Sequence, residues 1–260
     1  MKKFLIGFVF LFLSCATTGP GGKKSLILIP TSTEVEIGRE VSSEVESNEK
    51  LLNNQKVQNY VNDVGQKIVK VCDRRDIKYT FKVIDKAEVN AFACPGGFIY
   101  IYTGLIKILD NEAQLASVLA HEVGHVVARH SVKRLQTVYG YSILIDVLLG
   151  DKMSDVARQM IDAATFLILQ GYGRDNEFEA DNYGMLYTKK ANYNPKGMIQ
   201  LFEKFKDMED NPPSVFETLI ASHPPTKDRI NNGNKQIEKI GGTNLPYYTG
   251  KFTEIKALLK

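Results

Sequence analysis

Between positions 111 and 130 the chain reads Asn-Glu-Ala-Gln-Leu-Ala-Ser-Val-Leu-Ala-His-Glu-Val-Gly-His-Val-Val-Ala-Arg-His. Leu115, Val118, Leu119, Glu122, Val126 and Arg129 follow a three-four spacing, no proline interrupts, and Asn111 with Gln114 has the pattern of a capping box. The stretch is therefore expected to be a helix. His121 and His125, four apart, stand one above the other on one face and can offer two imidazole nitrogens to a single metal ion. The neighbours Val118, Leu119, Ala120, Val123, Val126 and Val127 are apolar, so the face is expected to be buried, where two histidines and a glutamate are costly to leave unsatisfied. Any fold must then be built around a buried helix with a metal on one side. Glu122, one residue past a ligand, is placed to take a proton from a metal-activated water without ligating.

A catalytic zinc usually keeps three protein ligands and one open position. Residues 174–184, Arg-Asp-Asn-Glu-Phe-Glu-Ala-Asp-Asn-Tyr-Gly, are helical by pattern and put Glu177 and Asp181 four apart. Alone, this reads as an acidic solvated face; paired with the histidine helix, Glu177 reads as the third ligand. Asp181 would then accept a hydrogen bond from a ligand histidine and fix its tautomer. Glu179 is expected to point elsewhere. His130, five residues past His125, is rotated by about 140° on a continuous helix and is expected to face away.

The two motifs together resemble the gluzincin metallopeptidases of the HtpX and CAAX-prenyl-endopeptidase family, most closely its small periplasmic and lipoprotein members. Two further stretches match: Asn-Ala-Phe-Ala-Cys-Pro-Gly-Gly-Phe-Ile-Tyr-Ile-Tyr-Thr-Gly at 90–104, and Ser-His-Pro-Pro-Thr-Lys-Asp-Arg-Ile at 222–230. The likeness covers roughly 34–240. It implies an α+β fold, a mainly helical zincin-type domain with a small sheet beside the His-Glu-x-x-His helix, holding one Zn²⁺. It also implies that Phe98, Ile99 and Tyr100 form a sheet edge on which an extended substrate pairs by backbone hydrogen bonds. His223 would stabilise the oxyanion or occupy the water position as an inhibitory fourth ligand, or else merely cap a turn; Arg229 would support the same site or make a structural ion pair.

Composition suits one such domain: 260 residues, 43% hydrophobic and 24% charged, with a formal net charge of +3. So small a charge argues against a nucleic-acid partner. Residues 1–14 have a basic start and an apolar run too short to span a bilayer, the pattern of an export signal. The run ends at Leu-Ser-Cys15, which resembles a lipobox with Cys15 as the lipidated mature N-terminus; Phe12 stands where leucine is preferred, which leaves cleavage by an ordinary signal peptidase or retention as an anchor as alternatives. Residues 15–33 then form a flexible tether and 34–260 the peptidase domain. Alanine after Cys15 resembles outer-membrane sorting, so the site would face the periplasm from a lipid anchor.

Two helices are expected over 34–52 and 56–69, the second with the core stripe Val57, Tyr60, Val61, Val64 and Ile68; strands are expected at 79–84, 89–93 and 98–102. The apolar runs 138–150 and 156–169 read as core or as a lid, with a membrane-facing patch as the alternative, the first run being short of a membrane span. A helix is expected from Lys196 to about Asp210. Cys72 and Cys94 could bridge in an oxidising compartment, but Cys94 sits beside Pro-Gly-Gly close to the expected site, which argues against it.

The chemistry expected is hydrolysis of peptide bonds, with Zn²⁺ on His121, His125 and Glu177 and with Glu122 as general base. The resemblance alone implies unfolded or misassembled envelope proteins as substrates. A zinc-stabilised, chaperone-like binding lipoprotein is the alternative, and Glu122 argues against it because a structural site has no use for a base. A cell-wall amidase would share the metal chemistry but is expected to carry a wall-binding module, and no such segment or repeat is evident. Oligomeric state is left open.

Overall fold

The computed structural model describes residues 15–17, 19, 22–139, 161–164, 170–206, 213–224 and 227–259. The expected leader, residues 1–14, and most of the apolar runs 138–150 and 156–169 lie outside the described residues. No described helix is long and apolar enough to cross a membrane.

The first two helices are α1 (Thr31–Asn48) and α2 (Gln55–Val69). Asn54 caps α2 by accepting from the Val57 amide at 3.3 Å, and Val57, Tyr60, Val61, Val64 and Ile68 are all buried, as their spacing requires. Ahead of them, β1 (Cys15–Thr17) pairs antiparallel with β2 (Lys24–Leu26). Ile27 and Ile29 are buried, and the Gln136 side chain accepts from the Leu28 amide at 2.6 Å. Ile27 and Ile29 thus pack onto the body ahead of Glu34, each burying apolar surface.

The sheet follows: β3 (Thr80–Ile84), β4 (Ala91–Cys94) and β5 (Phe98–Tyr102). Its order is β3-β5-β4, with β3 parallel and β4 antiparallel to β5. This corrects one expectation. Phe98, Ile99 and Tyr100 belong to the central strand, paired on both sides, and offer no edge to a substrate. Period two splits β5 between two cores: Ile99 and Ile101 face the core that contains Val61, Val64 and Leu119, while Tyr100 and Tyr102 face the one that contains Ile37 and Val41 of α1. Cys72 lies in the first core and Cys94 in the second, so the sheet separates them and both thiols are free.

The β4–β5 connection, Pro95–Gly97, holds Gly96 and Gly97 at φ 72° and 94°, where side chains are strained. Gly38 of α1 lies so close that a Cβ there would stand 1.9 Å from the Pro95 carbonyl oxygen. Short α3 (Thr103–Ile108) leads into α4 (Glu112–Ala128) and α5 (His130–Tyr139). Later come α6 (Arg174–Lys190), α7 (Lys196–Lys206), α8 (Glu217–Ser222), α9 (Lys227–Ile240) and α10 (Thr249–Lys256). The architecture is α+β and mainly helical, with the small sheet beside α4.

Candidate metal centre

Helix α4 is buried almost all round, Val118 being its one half-exposed residue. Asn111 caps it by accepting from the Gln114 amide at 3.0 Å. The Gln114 carbonyl reaches back not to Asn111 but to the Asp110 amide, at 2.9 Å. Helix α6 crosses α4 at close range because small residues meet there. A Cβ on Gly124 would lie 2.8 Å from the Ala180 carbonyl oxygen, and one on Gly184 would lie 3.1 Å from the His121 amide nitrogen. That approach brings Glu177, on the first turn of α6, over the two histidines.

Four donor groups converge: His121, His125, Glu177 and His223, with ligand atoms all within 4.8 Å of one another. His121 Nε2 stands 3.0 Å from His125 Nε2, 3.5 Å from Glu177 Oε2 and 3.3 Å from His223 Nδ1. His125 Nε2 is 3.3 Å from Glu177 Oε1, and His223 Nδ1 is 3.1 Å from Glu177 Oε2. Tetrahedral zinc with bonds of about 2.0–2.1 Å separates its ligand atoms by about 3.3 Å, so the donors have the spacing of such a site. The buried Glu177 Oε1 accepts no hydrogen bond, an acceptor a cation would satisfy. The donor set therefore fits zinc.

Two of the donors, His121 and Glu177, are backed by further charged groups. Asp181 Oδ1 lies 2.9 Å from His121 Nδ1, and Arg229 grips the same carboxylate with Nε and Nη2 at 2.8 and 2.7 Å. Arg229 also places Nη1 3.1 Å from Glu177 Oε2 and stacks over Phe202 at 4.4 Å. Despite full burial, the guanidinium holds the Asp181 carboxyl below its ordinary range. Glu122 is buried with its Oε1 3.9 Å from His223 Nε2. Burial raises its carboxyl pKa, against the pull of His223 and His121.

His130 is the main departure from the sequence reading. The helix does not continue through it: Arg129 is left-handed at φ 56°, ψ 39° and ends α4, so α5 starts in a new direction. His130 Nδ1 thereby comes within 2.9 Å of His125 Nδ1, and its Nε2 within 3.0 Å of Glu179 Oε2. The left-handed arginine carries no glycine or asparagine signal. It is held by Glu34, whose Oε2 accepts from Arg129 Nε at 2.9 Å and whose two oxygens accept from Arg74 Nη1 and Nη2 at 2.8 Å each. Tyr172, from an irregular Gly-Tyr-Gly stretch with no periodic signal, stacks on His125 with centroids 4.2 Å apart. The described arrangement brings together His121, His125, Glu177, Glu122, His223, Asp181 and Arg229. Phe98, Ile99 and Tyr100 lie outside the cluster, and nothing is described of the Cys15 side chain.

Among the described residues, the strand at the sheet edge next to the site is β4, its four residues buried. Tyr102 donates to the Asn90 carbonyl at 2.9 Å, so pairs 92/100 and 94/98 are the hydrogen-bonded ones. The backbone groups of Ala91 and Ala93 then point outward, and Ala91 lines a cleft with His121, Glu122, Leu105, Phe202 and Leu219.

A model of peptidase family M48 matches residues 55–236. Over 202 residues the chain is 29% identical to a putative beta-barrel assembly-enhancing protease of Vibrio cholerae, covering 74% of this chain and 42% of that one. It is 31% identical over 172 residues to the mitochondrial metalloendopeptidase OMA1 of Schizosaccharomyces pombe, covering 66% and 50%. To the metalloprotease YcaL of Escherichia coli it is 30% identical over 160 residues, covering 60% and 61%. The chain spans roughly 40 to 60% of the length of these relatives.

Proposed function

The chain belongs to peptidase family M48, and from that premise we propose that it is a zinc-dependent endopeptidase acting on unfolded or misassembled cell-envelope proteins. The observation that carries the reading is the convergence of His121, His125 and Glu177, with ligand atoms 3.0–3.5 Å apart, beside the buried carboxylate of Glu122. His121, His125 and Glu177 would hold a zinc ion there, which would supply Lewis-acid polarisation of the scissile carbonyl and an activated water. Glu122 takes the proton of the attacking water and delivers it to the leaving amine. Asp181, clamped by Arg229, stands 2.9 Å from His121 Nδ1 but off the line of a hydrogen bond, and a small turn of the ring on metal binding would let it hold the tautomer that keeps Nε2 free to ligate.

His223 stands as a fourth donor, with Nδ1 near both His121 and Glu177. The described arrangement is thus a closed one, and hydrolysis requires His223 to withdraw and leave the fourth position open. An extended substrate pairs with the outward backbone groups of Ala91 and Ala93 on β4, the edge strand, giving affinity with little sequence selectivity. The cleft lined by Leu105, Phe202 and Leu219 receives an apolar side chain.

The substrate class and the setting rest on the similarity to a protein named for β-barrel assembly and on the leader pattern. The protein is anchored by lipid on Cys15, in the outer membrane and facing the periplasm. The test is cleavage of casein by the full chain beside Glu122→Gln and His223→Ala, with zinc measured on each. Cleavage lost in Glu122→Gln with zinc retained supports the peptidase reading, and a gain in His223→Ala supports the closed-ligand role. No cleavage by any zinc-loaded form, His223→Ala included, favours a zinc-stabilised binding protein.

A further inference from the structure

The two histidine ligands are supported in different ways. His121 Nδ1 meets the carboxylate of Asp181 directly at 2.9 Å, whereas His125 Nδ1 meets a second imidazole, that of His130, at 2.9 Å. His130 Nε2 then meets Glu179 Oε2 at 3.0 Å. We propose that His130 and Glu179 are positioning residues for His125, a carboxylate–imidazole relay that does for the second ligand what Asp181 does for the first. This rests on the metal reading above.

The hydrogen-bond directions follow by elimination. If His125 ligates through Nε2, that nitrogen keeps its lone pair, so the proton is on Nδ1 and is donated to His130 Nδ1. The proton of a neutral His130 is then on Nε2 and is donated to Glu179. Every donor meets an acceptor, and only one tautomer of each ring satisfies both contacts. The chain ends in a fixed charge: the other carboxylate oxygen of Glu179 accepts from Tyr183 at 2.8 Å and is paired with Lys23.

Geometry requires the intermediate ring. On α6, Glu179 is two residues from both Glu177 and Asp181, about 200° round the helix from each. It therefore faces the start of α5 and cannot reach His125 itself. The left-handed turn at Arg129 sets His130, fully buried, in the gap. Tyr172, stacked on His125 with its hydroxyl 2.7 Å from Ser131 Oγ, closes the other face of the ring.

Partners of ligand histidines are worth about 10–100-fold in metal affinity. The experiment measures zinc affinity of the full chain by competition with a chromophoric chelator, with the visible spectrum of the Co²⁺ form as a report on the ligand field and circular dichroism as a check on fold. The variants are His130→Asn, His130→Gln, His130→Ala and Glu179→Ala. Asparagine puts an acceptor oxygen where His130 Nδ1 stands, whereas glutamine mimics only the Nε2 side. The relay predicts that His130→Asn, which keeps the acceptor for His125 but loses the contact to Glu179, falls about tenfold below wild type, while His130→Gln and His130→Ala bind zinc more weakly still, with an altered Co²⁺ spectrum. Glu179→Ala, on a partly exposed side chain, is expected to lose about tenfold. A purely space-filling role ranks the variants by size, so glutamine binding as tightly as asparagine or better overturns the proposal. All variants within twofold of wild type overturn it as well. Failure of the wild type itself to bind zinc removes the metal reading and the relay together, an outcome distinct from a wrong ranking among the variants.

Discussion

Replacing Glu34 by glutamine tests how the metal helix is anchored. Glu34 is buried and accepts from Arg74 through both oxygens and from Arg129 through Oε2, with the Gly96 amide 3.3 Å from Oε1. Glu34→Gln keeps the shape but leaves two buried guanidinium groups facing a neutral amide. Removing one member of a buried ion pair costs about 3–5 kcal/mol, and for a domain of this size each kcal/mol moves the melting temperature by about 2–4 °C. The melting temperature at pH 7 is expected to fall by roughly 6–20 °C. The two arginines outweigh burial and hold the Glu34 carboxyl below its ordinary range. Its contribution is therefore fully present above the unfolded-state pKa of about 4.3 and is lost as pH falls through the lower folded-state value. Thermal melts of both proteins from pH 7 to pH 3 should show the gap narrowing below about pH 4.3. A fall of less than 2 °C at pH 7, or a gap that stays constant down to pH 3, refutes the reasoning.

Arg229→Met leaves Asp181 and Glu177 as buried carboxylates without their shared cation, so melts in a chelator should show a loss of about 3–5 kcal/mol. Saturating zinc should recover part of it, since a ligand at 1,000 times its dissociation constant contributes about 4 kcal/mol. Gly38→Ala drives a methyl group into the Pro95 carbonyl and is expected to cost about 1–3 kcal/mol by denaturant titration, without changing zinc content. Gly124→Ala pushes α6 off α4 at Ala180, and chelator competition should show weaker zinc binding from a chain that is still folded. Ala93→Pro removes an outward amide from the edge strand β4. Casein cleavage should show a raised KM with zinc content unchanged.

The active helix and its partner were legible because their chemistry is local. His121 with His125, and Glu177 with Asp181, are pairs set by helical period alone, and the small residues Gly124, Ala180 and Gly184 that let the helices cross lie in the same motifs. His130 was not legible by period, since the break at Arg129 depends on Glu34, 95 positions earlier in the chain. A left-handed arginine costs of order 1–3 kcal/mol and is kept only by that tertiary pairing. The misplaced sheet edge has a plainer cause. Phe-Ile-Tyr-Ile-Tyr is apolar on both faces, the mark of a strand buried on both sides, and that signal in β5 pointed to the centre of the sheet. Ala-Phe-Ala-Cys, short and small, makes the edge. Tyr172 and the docking of Ile27 and Ile29 leave no periodic trace.

The most direct test of the central claim is a crystal structure of the zinc-saturated full chain, with anomalous scattering recorded on both sides of the zinc absorption edge. The account predicts one zinc peak within bonding distance of His121 Nε2, His125 Nε2 and the Glu177 carboxylate, with Glu122 beside it and not bonded. A peak held by other residues, or none at this site in an intact fold, would contradict it.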